Sequence, residues 1–183
     1  FYPGFPQSFF CVLIPNGIEK PEKKEAKVIS RRWGLQKDSY ILYLGRIVPE
    51  KGLENLIQAF LHVKTEKKLV IAGAPSDTDA FYKKLQKLAE TDDRIIFTGF
   101  VKGTALEELY SNSYFYCLPS ELEGMPISLL EAMSYGNCCV CSDIAECVEV
   151  MGEYGYIFEK GNVRSLRNVL QKLCNNSKLI EEC

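Results

Sequence analysis

The chain has little net charge, a single histidine and no long apolar run. Its 183 residues carry 22 Lys and Arg against 24 Asp and Glu, a formal charge of −2. That balance excludes a dedicated nucleic-acid surface, which needs clustered positive charge. The longest apolar runs, near 41–44 and 114–118, are strand-sized and far below the roughly 20 residues of a membrane span. A basic segment followed by an apolar one is missing at the start, so no signal peptide is expected. The first residue is Phe1 rather than Met, and an aromatic, Pro/Gly-rich lead-in follows. Residues 1–10 therefore read as a linker from a missing N-terminal domain, in an excised fragment, with 11–183 as one domain. His62 falls in a predicted helix and reads as a surface or half-buried side chain, not a catalytic base. There is no internal repeat, no low-complexity tract and no paired Cys-x2-Cys knuckle.

Cysteine, by contrast, is abundant: eight, densest at Cys138-Cys139-Val140-Cys141. Successive strand residues point to opposite faces, so Cys138 and Cys139 do not converge on one metal. They read as reduced thiols acting as small core hydrophobes, which suits a cytosolic setting. Whether any of them pair is left open.

Hydrophobic residues make up 46% of the chain, ample for a core. Short apolar runs alternate with helical patterns. Strands are predicted at 11–14, 40–45, 68–73, 94–98, 114–118, 138–141 and 155–158. Helices are predicted at 28–33, 53–63, 79–89, 105–111, 127–135, near 147–151 and at 163–173. Continuous apolar strands fit a sheet covered on both faces. Repeated strand–helix units predict a Rossmann-like, doubly wound parallel α/β sheet with helices on both faces. In such sheets ligands bind beyond the carboxyl ends of the strands. Four glycine-bearing loops follow strands here, at 45–51, 73, 99–101 and 121–126, and all converge on that edge.

Two of these loops carry chemistry. Gly45-Arg46-Ile47-Val48-Pro49-Glu50-Lys51-Gly52 places two cations between a strand and a helix. Arg46 can fork onto phosphate oxygens and Lys51 can act as a point charge. A solvated surface pair beside Glu50 and Glu54 is the plainer reading, and it would add little stability. Glu123-Gly124-Met125-Pro126-Ile127-Ser128-Leu129-Leu130-Glu131 places two carboxylates eight positions apart, around a turn and a helix start. The backbone N–H groups of Met125, Ile127 and Ser128 lie between them, at the positive end of the helix dipole. Either glutamate alone could simply favour a helix. Together around that turn they suit hydroxyl groups, while the amides suit an anion. A sugar nucleotide carries both.

Gly-Arg-x4-Lys-Gly, then Phe97-Thr98-Gly99-Phe100-Val101, then Glu-x7-Glu, in that order, resembles the donor-binding half of group 1 glycosyltransferases. These are also called family 4, are retaining, and have the GT-B architecture. The resemblance runs from about residue 12 to about residue 173. It implies that Arg46 and Lys51 neutralise the leaving nucleoside diphosphate, the role a metal plays in other transferases, so no metal or cofactor is expected. It implies that Glu131 accepts hydrogen bonds from the ribose and that Glu123 contacts the donor sugar near the reacting centre. Gly45, Gly124, Met125, Pro126 and Ile127 would line the sugar and phosphates, and Gly99, Phe100 and Val101 the base. Met125-Pro126-Ile127 stands where many relatives have Phe-Gly-Leu, which leaves the sugar open. The implied partners are a UDP-, GDP- or ADP-sugar and a glycan or lipid-linked acceptor held by the missing domain. No nucleic acid is expected, and membrane contact only through the parent protein, in the cytoplasm or at the inner membrane face. Two other readings stay open. Another GT-B enzyme, such as a sugar-nucleotide epimerase or a phosphorylase, would need acid/base groups or a cofactor lysine not evident here. A non-catalytic nucleotide-sugar-binding module would be marked by loss of Arg46, Lys51, Glu123 or Glu131, and all four are present.

Overall fold

The computed structural model describes residues 17–75 and 79–183. The predicted linker at 1–10 and strand at 11–14 lie outside them. Strands β1 (Tyr40–Leu44), β2 (Lys68–Ala72), β3 (Ile95–Gly99), β4 (Phe115–Leu118), β5 (Cys139–Ser142) and β6 (Tyr156–Phe158) form one sheet. Helices α1 (Val28–Trp33), α2 (Leu53–Phe60), α3 (Asp79–Ala89), α4 (Thr104–Asn112), α5 (Ile127–Ser134), α6 (Ala145–Met151) and α7 (Val163–Asn175) connect or flank them. A short α8 (Lys178–Glu181), absent from the sequence expectation, ends the chain.

All strand pairs are parallel, in the order β3-β2-β1-β4-β5-β6. Sequence order reverses between β1 and β4, which makes the crevice above their carboxyl ends the default ligand site. β4 and β5 are buried throughout and β1 nearly so, whereas the edge strands β3 and β6 are partly open. This is the burial that the continuous apolar runs require. Helix α2 sets Leu53, Leu56, Ile57, Ala59 and Phe60 against the sheet. It stops before the predicted 63 because His62 and Val63 donate to the carbonyls three residues back, tightening the last turn. His62 thus sits exposed in the turn after α2 rather than within a helix.

Two long-range ties hold the rim. Arg94 donates to both Asp92 carboxylate oxygens, at 2.9 Å to Oδ1 and 2.6 Å to Oδ2, and to the carbonyls of Val63 and Thr65. Glu108, 2% exposed, accepts the amides of Lys27, Val28 and Ile29 on Oε2 at 3.0, 2.7 and 3.0 Å. It thereby satisfies the otherwise orphaned donors that open α1.

Six of the seven described cysteines fall into two groups, with Cys174 free and half-buried. Cys117, Cys139, Cys141 and Cys147 are free and buried, as core thiols should be. Burial pushes the Cys139 thiol up to about 12 and raises Cys117 as well. Cys138, however, forms a disulfide with Cys183 across 45 residues, with Cα atoms 5.1 Å apart. The expectation of reduced thiols fails for this pair. Cys138 precedes β5 rather than opening it, so it meets the chain end beyond α8 instead of the sheet interior. A reduced setting therefore does not follow from the cysteines. No helix among the described residues is long and apolar enough to cross a membrane.

Candidate functional site

The loops after β1 and β4 are locked together above the reversal point. Gly52 has φ 65°, and a Cβ there would collide with the Pro119 carbonyl. The Glu121 amide donates to the Glu50 carbonyl at 2.8 Å. Between these loops Lys51 Nζ lies 2.6 Å from Glu123 Oε1, with side chains only 13% and 7% exposed. Ser120 Oγ donates to the same oxygen at 2.6 Å, and Ser142 Oγ in turn donates to the Ser120 carbonyl. The sequence motifs implied Lys51 for phosphate and Glu123 for sugar. The structure joins them directly, and neither takes part in another ion pair among the described residues. Lys51 keeps two further N–H donors and Glu123 a second oxygen.

A cavity of about 340 Å³ opens at the ends of β1, β2 and β3. It gathers Gly45, Arg46, Gly73, Phe100 and Val101, four of which the sequence had placed in the donor site and the fifth in a convergent loop. A Cβ on Gly73 would strike the Gly45 carbonyl, so the two loops meet only through glycine. Its walls are otherwise apolar, from Leu44, Ala72, Ala74 and Pro75. Arg46 is exposed and takes part in none of the ion pairs among the described residues, and its carbonyl accepts the Tyr43 hydroxyl at 2.8 Å. Phe100 is 74% exposed, a flat apolar face at the mouth. Gly99 sits behind the cavity, where its carbonyl accepts the Gly73 amide at 3.0 Å.

The turn before α5 differs from expectation in one detail. Pro126 precedes the helix, as the predicted 127–135 requires, and its carbonyl accepts the Leu129 and Leu130 amides. The Ile127 amide is not free: it donates to the Met125 carbonyl at 2.9 Å, because ψ 74° at Pro126 closes a tight turn. The amides of Gly124, Met125 and Ser128 have no partner among the described residues. Three donors thus remain for an anion at the positive helix end.

Glu131 does not line the Arg46 cavity. It lies in a second cavity of about 190 Å³ with Tyr110, Tyr135, Glu19 and Glu107. Its Oε2 accepts the Tyr110 hydroxyl at 2.8 Å. Burial, more than the neighbouring Tyr116 and Glu131, raises the Tyr110 pKa, so its proton stays on at neutral pH. Sequence reasoning missed Tyr110, Ser120 and Glu108; the one signal was the position of a tyrosine on the helix preceding β4. It also passed over Asp77-Thr78-Asp79, an Asp-x-Asp that follows Pro75 of the cavity wall and ends where α3 begins. Residues 76–78 lie outside the described ones.

An apolar cavity with Arg46 on its wall, open amides before α5 and a carboxylate pocket around Glu131 thus accompany a Rossmann-like parallel sheet. Residues 25–183 match the model of the glycosyl transferases group 1, and the chain belongs to that family. It is 28% identical over 158 residues to O-antigen chain mannosyltransferase B of Escherichia coli, covering 84% of this chain and 42% of that protein. It is 34% identical over 148 residues to an uncharacterized glycosyltransferase of Methanocaldococcus jannaschii, covering 76% and 38%. In fold it is similar to Anabaena Alr3699/HepE in complex with UDP and glucose, with TM-score 0.75, 18% identity, and 83% and 43% of the two chains covered. Sucrose-phosphate synthase from Thermosynechococcus elongatus superposes at TM-score 0.73 and 22% identity, covering 82% and 40%. The sheet is the Rossmann-like half of a GT-B glycosyltransferase architecture. The chain spans under half the length of these relatives.

Proposed function

We propose that residues 11–183 are the donor-binding half of a retaining glycosyltransferase, which moves a sugar from a nucleoside-diphosphate sugar to a glycan or lipid-linked acceptor. One observation carries this reading: Arg46, the Lys51–Glu123 pair and the open amides before α5 all sit on the two loops that flank the β1/β4 reversal. A diphosphate there meets the Arg46 fork, the spare donors of Lys51 and the Met125 and Ser128 amides. Positive charge at that place stabilises the leaving diphosphate as its bond to the sugar breaks. Glu123, with Oε1 saturated by Lys51 and Ser120, offers Oε2 to a sugar hydroxyl. The apolar cavity with Phe100 at its mouth suits the face of a base. Alr3699/HepE, similar in fold, is in complex with UDP, which favours a nucleoside diphosphate here.

The acceptor belongs to the part of the relatives that this chain does not span, and closure of the cleft between the two halves would exclude water. The chain alone then binds nucleotide with little or no transfer. Arg46 and Lys51 make a metal unnecessary in this reading, and a cytoplasmic or inner-membrane-face setting suits a nucleotide-sugar substrate. The test is calorimetric titration with UDP, GDP and ADP, with and without a chelator. Chelator-insensitive binding of one diphosphate, weakened at least tenfold by Arg46→Ala, supports it. Binding that needs a divalent cation refutes the metal-free part.

A further inference from the structure

Glu131 is held by a side chain that is itself almost fully buried. Tyr110, on α4, is 1% exposed, and its ring stacks on Tyr135 with centroids 5.2 Å apart and planes 15° apart. Its hydroxyl has one proton and two acceptors in reach: Glu131 Oε2 at 2.8 Å and the Ser128 carbonyl at 3.3 Å. The nearer, charged acceptor takes it. A second buried tyrosine grips the same helical turn from β4. Tyr116 donates to Ser128 Oγ at 2.8 Å and lies 3.2 Å from the Leu44 carbonyl at the end of β1. Tyr116 thus fixes where α5 starts, and Tyr110 fixes how Glu131 leaves it.

Deepening the donor-site reading above and resting on it, we propose that Tyr110 is a positioning residue of the nucleotide site. It saturates one oxygen of Glu131 and leaves Oε1, which has no partner among the described residues, aimed at the vicinal hydroxyls of a ribose. The surrounding cavity supports hydroxyls over an anion, because Glu19 and Glu107 bring only acceptors to it. A free Glu131 would lose side-chain entropy on every binding event; one already tied to a stacked ring does not.

The experiment is titration of the chain with the diphosphate it binds among UDP, GDP and ADP, and with the 2′,3′-dideoxy form of that diphosphate. Wild type, Tyr110→Phe, Tyr116→Phe and Glu131→Gln are compared, each with a thermal melt. The inference expects wild type to prefer the ribose form by at least about tenfold, as two hydroxyl contacts to a carboxylate warrant. Tyr110→Phe should lose most of that preference while binding the dideoxy form as wild type does. Tyr116→Phe should melt earlier yet keep the preference. Equal weakening of both nucleotides by Tyr110→Phe, or an undiminished preference, overturns the role of Tyr110 while leaving the site intact. Failure of wild type to bind any diphosphate overturns the donor-site reading and this inference with it.

Discussion

Replacing Lys51 with methionine removes a charge but keeps the bulk of the side chain, and it strands Glu123. At 2.6 Å the pair's gross attraction is roughly 6 kcal/mol for an effective dielectric near 20. Most of that is cancelled by the cost of desolvating both groups, so the pair's net worth is small. Breaking it from one side is different: Glu123, 7% exposed, would keep its charge with only the Ser120 hydroxyl as donor. Such stranded charges cost about 3–5 kcal/mol. For a domain of this size that is a fall of roughly 6–20 °C in melting temperature. Glu123→Gln leaves an amide able to meet Lys51 and Ser120 in part, and should cost less, about 1–3 kcal/mol. The double variant should be more stable than the two losses added together predict, by at least about 1.5 kcal/mol of coupling. Urea titrations of the four proteins measure this directly. Additive losses, with coupling below about 0.5 kcal/mol, would refute a direct pair and release Lys51 to act on phosphate alone.

Three further outcomes follow from the packing. Gly52→Ala must place a Cβ against the Pro119 carbonyl at φ 65°, so it should cost more than about 2 kcal/mol in urea and weaken diphosphate binding, since it pries apart the β1 and β4 loops. Glu108→Ala orphans three amides at the start of α1 and should cost at least about 3 kcal/mol, with early hydrogen exchange confined to residues 27–33. The urea midpoint should fall at both ends of the pH scale. Arg94's hydrogen bonds hold the Asp92 carboxyl below its usual range, so that contribution is whole above about pH 4 and is lost as pH drops through the lowered value, an effect Asp92→Asn abolishes. Burial raises Cys139 to about 12 and also raises Tyr43, Tyr110 and Tyr116, so their share is whole below about pH 8.5 and is lost as pH climbs from there.

The sheet was legible because each central strand is a short, continuous apolar run, and β1 and β2 are further bracketed by a charged segment and a glycine. Helix α3 was read to the residue. Helix α7 ran on two residues past its predicted end, to Asn175, because nothing in Cys174-Asn175 breaks a helix. The loops that bear Arg46, Lys51, Glu123 and Phe100 were legible because glycines and charges after strands have few plain explanations. What escaped was long-range. No local pattern tells that Glu108 caps a helix 79–81 residues earlier, that Cys138 meets Cys183, or that Lys51 spends its charge on Glu123. Those pairings exist only once the fold has brought distant segments together. The split of the expected single site into an Arg46 cavity and a Glu131 cavity has the same origin: spacing along a helix says which residues share a face, not what fills the space in front of them.

The central claim is best tested by a crystal structure of the chain bound to whichever of UDP, GDP or ADP it takes. The account predicts phosphates between Arg46 and the Met125 and Ser128 amides, a base against Phe100, and ribose hydroxyls on Glu131. A nucleotide seated elsewhere, or phosphates held through a cation on Asp77 and Asp79, would contradict it.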